Sequence, residues 1–153
     1  LNEEDLQRFL DAKGIDAEII RLGRKTKTVE QAAVALQTSK DKIIKTLTFI
    51  DGAGEPVLAI VTGKDTVNPK KLAKAIDTVG VRMATPTEVK RHSGYSVGGV
   101  PPVGHKGKIR TVIDTKVMRK KIVYGGGGSD NSLLRIRPWD IKRLQDAIIK
   151  SIT

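Results

Sequence analysis

Lys45 lies within IIKTLTFI, residues 43–50, a run of β-branched and aromatic residues that suits a strand. Side chains alternate faces along a strand, so Ile43, Lys45, Leu47 and Phe49 share one face while Ile44, Thr46, Thr48 and Ile50 share the other. The lysine is on the more apolar face. Burying an unpaired ammonium is costly, so Lys45 either carries its charge out at the strand end or meets an anion in a cleft. Two glycine-rich stretches could complete such a cleft. SGYSVGGVPPVGHKGK, residues 93–108, sets residues of free φ (Gly98, Gly99) beside residues of fixed φ (Pro101, Pro102). That mixture suits backbone N–H groups aimed at a ligand, and equally a plain surface connection. YGGGGSDNS, residues 124–132, either admits a ligand close to the backbone or forms a flexible hairpin tip. It is neither a Walker A loop nor a dinucleotide fingerprint, since no Gly-Lys-Ser/Thr follows it.

Other chemistries find less support. His92 and His105 stand without a His-x-x-x-His spacing, a paired carboxylate or a Cys/His cluster, so no metal site and no cofactor is expected. Ser96, His105 and Asp114 could be written as a triad, but no nucleophile-elbow spacing supports it. His105 is expected in a solvated loop. The chain has no cysteine, which excludes structural disulfides and thiolate metal ligands. Neither a membrane-length apolar run nor a secretion signal is present, and a cytoplasmic location is the expectation.

Charge is more informative. The formal net charge is +11. Residues 1–45 carry nine Lys/Arg against eight Asp/Glu, and residues 46–153 nineteen against nine, so the excess is in the later part. Lys106, Lys108, Arg110, Lys116, Arg119, Lys120 and Lys121 surround one predicted strand. Such a field either attracts a polyanion, most simply nucleic acid, or keeps a basic surface soluble. With two Phe, two Tyr and one Trp the chain has little for base stacking. RNA, if bound, would be held by backbone and shape.

The elements that must position these residues mix helices and strands. Asn2 caps a helix with Leu6, Phe9 and Leu10 on one stripe and Gly14 at its end. AEIIRL reads as a strand, and Thr28 with Gln31 forms a capping box for a helix to about Thr38. IIKTLTFI and VLAIVT, residues 57–62, form a hairpin through DGAGEP. Asn68 and Pro69 open a third helix, VRMA is a short strand, and Thr85, Pro86 and Glu88 start a helix that stops near Gly94. RTVID, KIVY and LLRIR are strands. A last helix runs from Pro138 with Ile141, Leu144 and Ile148 on one face. No linker or repeat intervenes, so residues 1–153 are expected to be one domain: α+β, with a mixed, largely antiparallel sheet.

KTLTF at 45–49, SGYSVGGVPPVG at 93–104, TVID at 111–114 and GGG at 126–128, in this order and spacing, resemble the YbaK/ProX family. Its members are free-standing aminoacyl-tRNA deacylases related to the editing domain of bacterial prolyl-tRNA synthetases. The resemblance covers roughly residues 1–150 and implies a curled mixed sheet flanked by helices. It implies that Lys45 is needed for activity and that a loop from Gly98 through Gly99, Val100 and Pro101 to Pro102 lines the substrate site. It also implies that Gly126, Gly127 and Gly128 face that site. Many members continue after the glycine pair with Lys-Arg-Gly-Leu-Asp; here GSDNSLL intervenes and Asp130 is out of register with their aspartate. Their amino-acid specificity is therefore not carried over.

An aminoacyl ester is already activated, so positioned water and a stabilised oxyanion suffice, with no need for a triad. Backbone N–H groups around Gly98–Val100 and Gly126–Gly127 would hold the ester, Lys45 the terminal phosphate or carbonyl, and the substrate's ribose hydroxyl would assist, as the resemblance implies. A pocket that admits small wrong residues would give selectivity by size. Lys106, Lys108, Arg110, Arg119, Lys120 and Lys121 would hold the tRNA backbone. The expected partners are mischarged tRNA and an aminoacyl-tRNA synthetase, with no membrane. Competing readings are a non-catalytic tRNA-binding or synthetase-associated module, and a nucleotide-binding regulator that needs no tRNA.

Overall fold

A computed structural model describes residues 1–153. Helix α1 spans Glu3–Lys13, capped reciprocally by Asn2 and Asp5 and ended by Gly14 in the left-handed region at φ 62°. Strand β1 (Glu18–Arg21) is followed by α2 (Val29–Leu36), which opens on the Thr28–Gln31 capping box. Strands β2 (Ile44–Asp51) and β3 (Pro56–Thr62) form the expected hairpin, with Lys45 opposite Val61 and Phe49 opposite Val57. Helix α3 (Pro69–Ala75), β4 (Val81–Met83) and α4 (Pro86–Ser93) follow, each helix starting with a proline whose missing N–H costs nothing there. Strand β5 (Arg110–Asp114), α5 (Thr115–Met118), β6 (Val123–Gly126), β7 (Ser132–Ile136), α6 (Pro138–Gln145) and β8 (Ile148–Lys150) complete the chain.

The fold is α+β, and its strands form two sheets where one was expected. One has the order β4-β2-β3-β5-β8, the other β1-β7-β6. Four pairings are antiparallel, whereas β3–β5 and β5–β8 are parallel. A lone parallel bridge, Ile43 to Tyr124, joins the sheets. Leu6, Leu10, Ile44, Ile60, Ile113, Leu134 and Ile136 form the core between them, and Phe49, Val57, Ala59, Val61, Leu72 and Ile152 form a second core on the other face of β3. Alternate residues of β3 thus feed different cores, which explains why the strand is apolar throughout.

Two expectations are corrected, and one helix was not foreseen. Ile148 is not on the last helix: Asp146 turns left-handed at φ 48° and ends it, and Ile148 pairs with Val112 in a parallel edge strand. The spacing of Ile141, Leu144 and Ile148 fits a helix face, but a turn between them breaks the phase. Helix α5, capped by Asp114, is too short to show any periodicity. KIVY is displaced, because β6 begins at Val123 and takes Gly125 and Gly126 into the strand, opposite Leu134 and Leu133.

Candidate active site

A cleft of about 520 Å³ opens where the two sheets meet. From Ile44 to Thr48, β2 has a strand partner on only one side, because β4 pairs with it only from Phe49 onward. This free stretch forms the floor. Met83 and Ala84, with Pro86 and Val89 of α4, form one wall. Thr26, Lys27 and Thr28 form another, held by Thr26 N–H donating to Asp130 O (2.7 Å) and by the capping box that opens α2. Gly98 and Val100, with Gly125 and Gly126, close the end.

Lys45, Gly98, Val100 and Gly126, all singled out from sequence, therefore line one cleft. Gly99, Pro101, Pro102, Gly127 and Gly128 do not line it and sit behind it. The proline segment is no surface connection: Pro101, Pro102, Val103 and Gly104 are all buried. Its ends are clasped by Tyr95 Oη donating to Gly104 O (3.2 Å) and Lys106 N–H donating to Ser93 O (2.9 Å). Burial pushes the Tyr95 hydroxyl up to about 12, so it remains a donor. His105 is half-buried rather than solvated, its Nε2 2.6 Å from Pro101 O. A carbonyl only accepts, so the ring carries its proton on Nε2. Burial pushes its pKa down to about 4.

The glycines bring two backbones together. Gly128 N–H donates to Gly99 O at 2.9 Å. A Cβ on Gly126 would lie inside the contact radius of Val100 O and 2.8 Å from Val100 C, and one on Gly99 would lie 2.9 Å from Ser129 N and O. Several of the expected donors are already used: Gly99 N–H donates to Ser96 O and Gly127 N–H to Ser132 O. The N–H groups of Gly98 and Val100 have no acceptor within the protein. Gly98 holds φ at 98°, a conformation glycine adopts without cost.

Lys45 is half-buried, and its ammonium donates to the backbone carbonyl of Asp65. Asp65 is itself fixed, its carboxylate accepting from Thr62 Oγ1 at 2.5 Å and facing Lys116 Nζ at 3.4 Å. These contacts, the threonine first, hold its carboxyl below the usual range. An ammonium has three donors, which leaves Lys45 two for an oxygen-rich ligand.

The six expected backbone-binding cations are not all free. Arg110 pairs with Asp51 at 2.6 Å, and Lys120 with Asp41 at 2.6 Å. Arg110 is opposite Val57 by way of β5, whereas Lys45 is opposite Val61, so about 13 Å of strand separates their levels. Lys106, Lys108, Arg119 and Lys121 are exposed, and Lys108 approaches Asp146 at 3.9 Å. Lys27, which sequence reasoning passed over, is at the rim with its side chain against Gly98. The balance over residues 1–45 concealed it, because the acidic residues concentrate in α1. Thr46 and Thr48 were also missed, although strand parity had placed them together on one face. No three His, Cys, Asp or Glu side chains converge as a metal site, and no helix is long and apolar enough to cross a membrane.

The chain matches the model of the aminoacyl-tRNA editing domain family over residues 24–144. It is 37% identical to a proline–tRNA ligase of Nitratidesulfovibrio vulgaris over 90 residues, 59% of this chain and 16% of the ligase. It is 27% identical to a candidate Cys-tRNA(Pro)/Cys-tRNA(Cys) deacylase of Enterococcus faecalis, over 82% of this chain and 77% of that protein. The crystal structure of a candidate trans-editing enzyme for prolyl tRNA synthetase superposes with a TM-score of 0.90 at 28% identity, covering 99% of this chain and 96% of that one.

Proposed function

The chain belongs to the aminoacyl-tRNA editing domain family, and from that premise we propose that residues 1–153 act as one editing unit, hydrolysing the ester of mischarged aminoacyl-tRNA in trans. The relatives named as deacylase and trans-editing enzyme support this class of reaction. The observation that carries it is a single cleft lined at once by Lys45 and by Gly98 and Val100, whose N–H groups have no acceptor within the protein.

In the proposed reaction the oxygen of water bonds to the ester carbonyl carbon. The carbonyl oxygen takes up negative charge and is received by the N–H groups of Gly98 and Val100. Collapse breaks the bond to the ribose oxygen, which accepts the proton that water gives up, relayed by the neighbouring ribose hydroxyl. Free amino acid and uncharged tRNA are the products. Lys45, anchored on Asp65 O, holds a terminal phosphate or carbonyl oxygen with its remaining donors. Rigid backbone donors need no reorganisation as charge develops, which is the chief economy of such a site. A synthetase would supply the mischarged tRNA, in the cytoplasm where translation runs.

The test is release of amino acid from a panel of mischarged tRNAs, with Lys45→Ala in parallel. Turnover of at least one ester that depends on Lys45 is the expected result. Tight tRNA binding without turnover would favour a non-catalytic tRNA-binding module instead.

A further inference from the structure

Two hydroxyl groups in the cleft are unaccounted for. Thr46 and Thr48 project from the same face of β2 and both line the cavity. Oγ1 of each is buried and has no hydrogen-bond partner within the protein. Thr48 is only 3% exposed. Buried hydroxyls are ordinarily paired, because an unpaired one forfeits its hydration and gains nothing in return. Two of them, two residues apart on the floor of a ligand-sized cleft, form a polar site that a ligand hydroxyl could complete. Ile44, Leu47, Met83, Ala84, Pro86 and Val89 of the same lining have no side-chain group to pair with them, so a ligand group entering the cleft can be the partner.

We propose that Thr46 and Thr48 select, among small esterified amino acids, those that carry a hydroxyl or thiol on the β-carbon. This rests on the deacylase reading and narrows its substrate from any small residue to a small polar one. The physical reason is asymmetric. An apolar pocket cannot strongly reject an isostere that adds a hydroxyl, but a site with buried polar groups disfavours a ligand that leaves them unpaired. Seryl and cysteinyl esters satisfy the threonines, whereas an alanyl ester of nearly the same size does not. A hydroxyl both donates and accepts and so can pair with both threonines at once; a thiol does so more weakly.

The experiment compares kcat/KM on one tRNA charged with alanine, serine, cysteine or threonine. The serine ester is expected to exceed the alanine ester by about tenfold, as one neutral hydrogen bond gives, with the cysteine ester between the two. Thr48→Val, and Thr46→Val with it, should bring the serine-to-alanine ratio close to one, and Thr48→Ser should restore it. Both Val variants should melt no lower than the wild type, since each removes an unpaired hydroxyl without changing shape. A wild type that prefers the alanine ester, or a ratio that both Val variants leave unmoved, overturns the assignment. A second measurement needs no turnover: binding of 3′-seryl-amido-adenosine against 3′-alanyl-amido-adenosine. Tighter seryl binding that Thr48→Val abolishes supports the polar pocket even where no ester is hydrolysed, and equal affinities overturn it while the deacylase reading stands on its own turnover.

Discussion

Gly126→Ala tests whether the cleft depends on two backbones touching. The new Cβ would lie 2.8 Å from Val100 C and 2.9 Å from Gly99 C, where ordinary contact begins at 3.4 Å. The two segments must therefore separate by roughly 0.5–1 Å, and neither can yield as a side chain would. Gly126 is pinned to Leu133 of β7, while the opposing segment is clasped at Gly104 and Ser93. Strain of this kind costs about 1–3 kcal/mol of stability. The catalytic cost is larger in proportion, because in the proposed mechanism Val100 carries one of the two N–H donors, and misplacement by about 1 Å can lower a rate about 100-fold. The Gly128 N–H to Gly99 O bond should be lost as well. Gly107→Ala is the control, since a Cβ there meets nothing within 4 Å. Deacylation kinetics on the best ester and urea melts of both variants form the assay. The expected result is a fall in kcat/KM of about 100-fold for Gly126→Ala, with a folded protein and little change for Gly107→Ala. A Gly126→Ala protein within threefold of wild type would show that the contact does not position the donors, and the backbone mechanism would fail with it.

Lys45→Ala should lower turnover by about 100-fold or more, as loss of a preorganised donor does, with only a small drop in melting temperature; comparable turnover of the two proteins refutes the role given to the ammonium. Stability should fall as pH drops from about 6.5 to about 4, because the unfolded His105 takes up a proton there and the folded ring does not; melts of His105→Gln should lack that part of the slope. Binding of tRNA should weaken steeply with salt, and removing the exposed Arg119 and Lys121 should each reduce the slope of log K against log salt by about 0.7–0.9, more than removing the paired Arg110 or Lys120 does. Equal effects at all four positions would contradict the pairing. Turnover should survive EDTA, because the proposed steps use only backbone, ammonium and substrate groups; loss on chelation, restored by a divalent ion, would require another mechanism.

Much of the fold was legible in local signals. The caps at Asn2, Thr28, Asn68 and Thr85 are formed by side chains within three residues of the backbone they satisfy, and all four act as the sequence implies. The β2–β3 hairpin was equally local. What the sequence concealed depends on distant partners. The split into two sheets is decided by where β2 loses its neighbour, and β8 exists only because β5 offers an edge for Ile148–Lys150. The same distinction applies in the cleft. Lys45, Gly98, Val100 and Gly126 were expected together only through the family resemblance, since each taken alone left a plain structural role open, and they do line one cleft. That glycines would be needed for contact between two backbones could not be read from a loop taken alone. Nor could the state of Thr46 and Thr48, since an unpaired hydroxyl is defined by what fails to come near it.

A free strand edge is ordinarily a hazard, because its unpaired N–H and C=O groups invite another chain. Here the unpaired stretch of β2 is confined to Ile44–Leu47, bounded on one side by the Ile43–Tyr124 bridge and on the other by Ala84 N–H donating to Thr48 O at 3.0 Å, beside the pairing of Phe49 with Met83. Those four residues are fewer than the about five or six of an ordinary strand, and Lys45 places a charge within them. Lys27 adds a second at the rim. The same two cations that discourage pairing with another strand favour the phosphate-rich end of a nucleic acid. The gap between the sheets can therefore stay open to a charged, single-stranded end while remaining closed to protein edges, as the proposed function requires.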